Sequence, residues 1–497
     1  MTLRKLAGDT LVYGTGYILG KVLNYLLITV YLTWKFDGEQ EQYGLYTDFY
    51  FYVAMLLVLL TLRMETTYFR FASDKAMRDT TFSQTSIILL STSIIWILLV
   101  LFGQTQMANA LDYPGFEKHV VVLGMIIALD VMVSVPFAAL RLESRPIRYT
   151  LLRLLGTVIN IVAIVFFLEV LPALAQHGVT WADAWYSHDD RLYYVFLSNL
   201  LGSLVVFLIF VPQYLRIRWV WNGFLVKKML KYALPLVIVG LAGVINQSSY
   251  ITFQKYILPD SLTDNLSAGG IYAAATRVAI IMSLFTTAFN YAAEPFFFQH
   301  AKVEGARQIY ADVAKGFTLA GCVLMAIILL YIDGVELIIG ESYRSGLSIV
   351  PILLLGFLFL GLYYNVSVWY KVTDRTNFGA LISGTGAIIT IVLNIILIRQ
   401  FEVVGSAWAA LACYTFMIVA CYVIGQKYYP VPYDVVRILI PVIGVFLIYW
   451  ISLQLRGLFG DALWKTLLMN TVLLIGYVAV LFKLEGKMIL SVIRRVK

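Results

Sequence analysis

Charge is scarce in this chain. Of its 497 residues, 13% are Asp, Glu, Lys or Arg and 61% are hydrophobic. A soluble domain carries about 25% charged residues, so a water-borne globular fold is excluded. Cysteine is scarcer still. Cys322, Cys413 and Cys421 all fall in apolar runs, with neither metal-ligand spacing nor an evident disulfide pairing. The four histidines are scattered and supply no ligand cluster, so no metal site is expected. No Ser/His/Asp or Cys/His set shares a face, and the H-E-x-x-H and phosphate-loop motifs are missing. The sequence therefore predicts no enzyme and no bound cofactor. Long hydrophilic loops are missing as well. The longest expected external segment, about residues 169–191, contains "HGVTWADAWYSHDD", which predicts at most a short interfacial helix.

Long apolar runs are what the chain has in abundance. They are read at about 10–34, 44–62, 82–102, 119–140, 149–168, 192–212 and 232–252. Seven more follow at 269–292, 316–332, 346–370, 378–398, 405–425, 436–453 and 464–482. A helix needs about 20 apolar residues to cross a ~30 Å hydrocarbon layer, and β-barrel alternation is absent. Fourteen transmembrane helices are therefore expected. The basic start "MTLRK" precedes a long apolar run with no A-x-A site, so the first helix is expected to stay as an anchor. With the N-terminus placed in the cytoplasm, 27 of the 37 Lys and Arg residues fall on that side and eight on the other, with Lys21 and Arg277 left inside spans. This bias follows the positive-inside rule and predicts that both termini are cytoplasmic. It also accounts for the net charge of +8 without a nucleic-acid partner.

The two halves of the chain resemble each other at an offset of 230 residues. "RLESRPIRYTLLRLLGTVINIVAIVFFL" (141–168) aligns with "KVTDRTNFGALISGTGAIITIVLNIILI" (371–398), with six identities that include Arg145 with Arg375 and Gly156 with Gly386. Both segments read as a basic cytoplasmic turn between an inward and an outward helix. Six spans per unit give a parallel repeat about the membrane normal, as in some transporter halves. The expected architecture is all-α: an N-terminal six-helix lobe (1–222), a second six-helix lobe (223–430), and two further helices with a cytoplasmic tail (431–497).

Ionisable groups at mid-depth are the residues to explain. Lys21 lies about 15 Å into the first span, where a charge costs about 2.5–3.5 kcal/mol on insertion scales. Tyr17 and Asn24 recur beside it at helical spacing, with Gly14 and Tyr31. Arg277 lies about 12 Å into the eighth span, followed by Ser283, Thr287, Asn290 and Glu294. The seventh span adds Gly240, Gly243, Gln247, Tyr250 and Gln254. These stripes predict a polar cavity lined by Lys21, Arg277, Tyr17, Asn24, Gln247, Tyr250 and Asn290. Asp130 on the fourth span is read either as a structural ion-pair partner of Lys21 or Arg277, or, like Glu294, as a site of proton or sodium coupling. Arg63, with Glu65 and Arg70, lies at the cytoplasmic mouth of the second span. There it is either an ordinary positive-inside residue or a third cavity cation. One carboxylate neutralises only one of two cations, so a mid-membrane positive charge is left for a visiting anion.

With these features the chain resembles the polysaccharide-flippase branch of the multidrug/oligosaccharidyl-lipid/polysaccharide exporter superfamily. The resemblance covers essentially the whole length. Its local carriers are the Gly-rich first helix, the tyrosine-glycine step in "EQYGLYTDFYFY" (41–52), and the exit from the second helix in "RMETTYFRFASDK". It implies a pair of lobes around a cavity that opens alternately to each face. It also implies cavity cations on helices 1, 2 and 8, positions that Lys21, Arg63 and Arg277 match. The implied substrate is an anionic lipid-linked oligosaccharide moved across a bacterial inner membrane for surface-polysaccharide (O-antigen or capsule) synthesis. Membrane lipids and glycan polymerase or ligase machinery are the implied partners. The alternatives are a flippase for the peptidoglycan precursor lipid, a multidrug or metabolite exporter, and, from another class, a membrane-embedded glycan polymerase or ligase.

Overall fold

The computed structural model describes residues 20, 22–72, 75–143, 145–216, 219, 221–300, 305–373, 375–459 and 463–496. For 28, 29, 75, 291, 292, 294–296, 298–300, 457–459, 463 and 487–496 it describes the backbone alone. The described residues form helices and turns, with no strand among them. The protein is an all-α, multi-pass membrane protein, and among the described residues twelve stretches are long and apolar enough to cross a bilayer.

One of those twelve is double. The helical stretch Asn377–Tyr428 has 52 residues, about 78 Å at the helical rise and more than twice the ~30 Å hydrocarbon thickness. It breaks at Glu402, where φ is 50° and ψ is −132°. The chain turns back so closely that a Cβ on Gly405 would lie 2.2 Å from the Leu397 carbonyl oxygen. A one-residue break thus stands where the sequence predicts a loop, and the described residues hold thirteen crossings. Of the expected first span, 10–34, residues 10–19 and 21 lie outside them. Its end appears as a π-helical turn, Leu26–Tyr31, followed by Leu32–Lys35. Several helices outrun their apolar stretch, because backbone hydrogen bonding continues past the hydrocarbon edge wherever helix-tolerant polar residues follow. Arg78–Ala110 against an expected 82–102 is one case.

The chain packs as two compact units, residues 1–27 with 48–244 and residues 28–47 with 245–497. The first unit is built from α1 (Gln40–Thr61, from Asp48 onward), α2 (Met64–Phe71), α3 (Arg78–Ala110), α4 (Glu117–Leu142), α5 (Pro146–Val165), α6 (Arg191–Leu215) and most of α7 (Gly223–Ser248). Small residues let its helices touch, the usual device where lipid supplies no hydrophobic drive. A Cβ on Gly202 of α6 would lie 2.7 Å from the Gly156 carbonyl of α5, and one on Gly124 of α4 would lie 2.8 Å from Val100 of α3. One core layer joins Val133, Phe137 and Leu140 to Tyr149, Leu152, Val206, Phe210 and Tyr214. In the expected outer segment, Thr180–Trp185 forms a short helix.

The second unit holds α8 (Tyr250–Ile257), α9 (Leu262–His300), α10 (Ala306–Leu330), α11 (Val350–Val366), α12 (Asn377–Tyr428), α13 (Val435–Phe459) and α14 (Leu463–Val496). Residues 28–47 join it through a hydrogen-bonded clasp. The backbone N–H groups of Glu341 and Ser342 donate to the Asp37 carboxylate at 3.1 and 2.9 Å, and the Ser342 hydroxyl donates to it as well. Trp34 Nε1 donates to the Ile338 carbonyl at 3.0 Å, and the Tyr343 hydroxyl to the Phe36 carbonyl at 2.9 Å. Below the clasp two backbones meet directly. A Cβ on Gly44 would lie 1.9 Å from the Leu266 carbonyl oxygen, and one on Gly270 would lie 2.2 Å from that of Gln40.

The 230-residue offset recurs in the backbone. The Glu143 N–H donates to the Ala139 carbonyl and the Arg145 N–H to that of Leu140, both at 2.9 Å. At the equivalent turn, Thr373 donates to Trp369 at 3.1 Å and Arg375 to Tyr370 at 2.8 Å. The two basic turns close with the same pair of bonds.

Candidate functional site

Arg277 comes from the middle of α9 and meets tyrosines. The Gly44–Gly270 contact brings the start of α1 against α9, and the residue beside that glycine is Tyr43. Tyr43 is fully buried and accepts a hydrogen bond from the Arg277 guanidinium. Tyr46 and Tyr250 complete the set of groups acting on the charge. Tyr43 stacks on Tyr46 with centroids 5.9 Å apart and meets Tyr343 edge-on at 5.5 Å. Tyr250 lies 4.4 Å from Tyr272. Among the described residues no carboxylate lies within ion-pairing distance of Arg277. Its side chain is only partly buried. Guanidinium has five donors in a planar fork. The Tyr43 hydroxyl orients it without cancelling its charge, which leaves donors for a carboxylate or phosphate.

Arg63 sits in the first unit at a backbone break. The helix of α1 ends after Thr61, whose hydroxyl folds back onto the Leu57 carbonyl at 2.6 Å. Leu62 and Arg63 then both turn left-handed, with φ of 46° and 52°. For bulky L-residues that conformation costs about 1–2 kcal/mol each. α2 restarts at once, with the Thr67 N–H and hydroxyl both donating to the Arg63 carbonyl at 3.1 Å. The whole stretch Gln40–Phe71 has the length and hydropathy of one span, so the break falls inside it. The Arg63 side chain has no hydrogen-bond or ion-pair partner among the described residues. Its neighbours do have partners. Glu65 accepts from Arg141 at 2.9 Å, and Arg70 lies 4.3 Å over the Tyr232 ring.

The remaining expected residues fall as follows. Lys21 and Tyr17 lie outside the described residues, as does the side chain of Glu294 within α9. Asn24 is exposed and Asn290 partly buried. Asp130 accepts a hydrogen bond from the Ser203 hydroxyl at 2.9 Å and feels the charge of Arg153, whose guanidinium lies 4.2 Å over the Phe137 ring. Gln247 and Tyr250 border a polar space in the second unit with Asn246, Thr390, Asn394, Ser406 and Tyr414. That space measures about 20 Å³, room for a water rather than a sugar. Some of its polar groups satisfy one another, while Asn394 Oδ1 has no hydrogen-bond partner among the described residues. Thr390 donates to Asn246 Oδ1 at 3.0 Å, and Tyr414 donates to the Asn246 carbonyl at 3.1 Å.

The polar stripe expected along the seventh span is not continuous. The helix ends at Ser248 and restarts at Tyr250. Gln254 is buried against Ser406, while Gly240 faces Arg63. Sequence reasoning missed Tyr43 and Tyr46 as partners of Arg277. The tyrosine-glycine step at 43–44 was their one local signal.

No family model matches the chain, and no curated protein matches it in sequence. Solved structures do match its fold. The lipid II flippase MurJ in an inward closed conformation superposes with a TM-score of 0.72 at 13% identity, covering 95% of this chain and 99% of that one. A multidrug-resistance MATE transporter of the MOP superfamily, inward-facing, gives 0.64 at 14% identity over 82% and 94%. A MATE crystal structure in a bent conformation gives 0.56 at 14% identity over 88% and 95%. The chain shares its fold with these flippase and transporter structures.

Proposed function

We propose that this protein is an alternating-access flippase that carries an isoprenoid-diphosphate-linked oligosaccharide from the cytoplasmic to the outer leaflet of a bacterial inner membrane. The observation that carries the reading is Arg277, a cation hydrogen-bonded to the Tyr43 hydroxyl with no described carboxylate to neutralise it. Arg63 repeats the theme in the other unit. A sugar-diphosphate head cannot enter hydrocarbon bare, because its polar groups lose their water. Arg277, Arg63 and Lys21 replace part of that hydration with charge-assisted bonds. Outward movement of about two negative charges gains roughly 2.3 kcal/mol per charge per 100 mV of inside-negative potential. Asn24, Tyr17, Gln247, Tyr250 and Asn290 then serve as polar lining, and Asp130 or Glu294 as a coupling or structural acid.

The test is transfer of a fluorescent isoprenoid-diphosphate oligosaccharide across proteoliposomes, beside the same glycan on a neutral lipid. Transfer of the diphosphate alone is the expected result. Equal transfer of both would remove the anion from the mechanism, and efflux of organic cations in its place would identify a drug exporter. A second reading, translocation of the peptidoglycan precursor lipid, draws support from the fold shared with a lipid II flippase over 95% of the chain. Complementation of a strain depleted of that activity separates the two.

A further inference from the structure

Arg63 does not hang free at its break. Its guanidinium lies over Gly240 of α7, so close that a Cβ there would come 2.4 Å from Nη2, 2.7 Å from Nε and 2.8 Å from Val58 Cγ1. Two turns along, Arg70 and Phe71 meet the Tyr232 ring, at 4.3 Å and at 6.2 Å between centroids. α2 therefore runs antiparallel along α7, anchored at one end by an arginine–tyrosine stack and open at the other only because residue 240 has no side chain. Gly243, one turn further along α7, has nothing within 4 Å of such a Cβ. The two glycines look alike in sequence and differ in what they hold.

We propose that Gly240 is a positioning residue, the seat that keeps the Arg63 guanidinium turned toward α7 at the point where an anionic head group is met. The left-handed pair Leu62–Arg63 aims the side chain, and the bare surface of Gly240 receives it. The role of the seat rests on the substrate reading above, whereas its geometry does not. The colliding atoms include the far end of a flexible side chain, so Gly240→Ala displaces Arg63 more readily than it separates the helices.

The experiment compares wild type with Gly240→Ala and Gly243→Ala in two readouts. The first is the rate at which phenylglyoxal modifies Arg63, followed by peptide mass spectrometry, which needs no substrate. The second is proteoliposome transfer over a range of concentrations of the isoprenoid-diphosphate oligosaccharide. Gly240→Ala is expected to speed modification of Arg63 about tenfold and to raise the half-saturating substrate concentration by a similar factor. Turnover at saturation and the thermal midpoint stay near wild type, and Gly243→Ala changes neither readout. A merely structural glycine would lower the amount of folded protein and leave half-saturation alone. Should Gly240→Ala fold poorly, Val58→Ala/Gly240→Ala removes the aliphatic collision and leaves only that with Arg63. Unchanged Arg63 reactivity in these variants overturns the seat. Raised reactivity with unchanged half-saturation overturns its role in binding. If wild type transfers nothing while Arg63 reactivity still rises, the substrate reading fails and the seat stands.

Discussion

Lys315, Arg456 and Arg277 all belong to helices of the second unit, and their surroundings differ. Lys315 pairs with Glu485 of α14, their side chains 12% and 7% exposed, and Arg437 approaches the same carboxylate at 3.7 Å. Arg456 binds Asp333 at 2.7 Å. Arg277 has Tyr43, Tyr46 and Tyr250. In the first two sites a carboxylate meets the cation, so removing that carboxylate strands a charge. The third is held in place yet keeps its charge. Pairing marks a cation that supports the fold, and tyrosine contact without pairing marks one kept for something that arrives.

Stability measurements can break this contrast. Glu485→Gln leaves Lys315 buried without its counter-charge and is expected to cost about 3–5 kcal/mol, seen as a large fall in the thermal midpoint in detergent. A midpoint near wild type would remove the structural role of the pair. Gly44→Ala forces a methyl group onto the Leu266 carbonyl and is expected to cost about 1–3 kcal/mol through overpacking. It should weaken transport as well, because Tyr43 and Arg277 are carried by the two helices that meet there. Loss of stability with transport kinetics intact would separate that crossing from the site. Asp333→Asn, at a pair about one-quarter exposed, should cost about 1 kcal/mol.

The smallest effect concerns acid. At Asp37 burial alone would raise the pKa, but the hydrogen bonds from Ser342, Glu341 and Gly38 outweigh it and hold it below the usual value. The stability it contributes is therefore complete above the unfolded carboxylate pKa of about 3.9 and is lost as pH falls through the lower folded value. Asp37→Asn should remove that part of the acid-side loss, measured as thermal midpoint against pH below about 4. An unchanged acid profile would show that the clasp does not depend on the charge.

The difference between the cations was only half legible in the sequence. Hydropathy located the spans because each apolar run must match the bilayer thickness, and it isolated Arg277 as a charge inside one of them. It could not reveal the partner, since Tyr43 is far away along the chain and comes near only when Gly44 and Gly270 let two backbones meet. The break at Glu402 was hidden for the opposite reason. A one-residue reversal alters neither composition nor periodicity, so the sequence there reads as an ordinary loop. Gly240 was read by helical spacing as part of a polar stripe with Gln247 and Gln254. Spacing places a residue on a face without saying what that face meets, and here it meets Arg63.

The most direct test of the central claim is one paired measurement on Arg277→Gln, its thermal midpoint in detergent and its transfer of the labelled isoprenoid-diphosphate oligosaccharide in proteoliposomes. A midpoint close to wild type is expected, because no described carboxylate is stranded, together with a loss of transfer of about tenfold or more, equivalent to about 1.4 kcal/mol. A lowered midpoint with transfer intact would contradict it and make Arg277 one more cation that holds the fold.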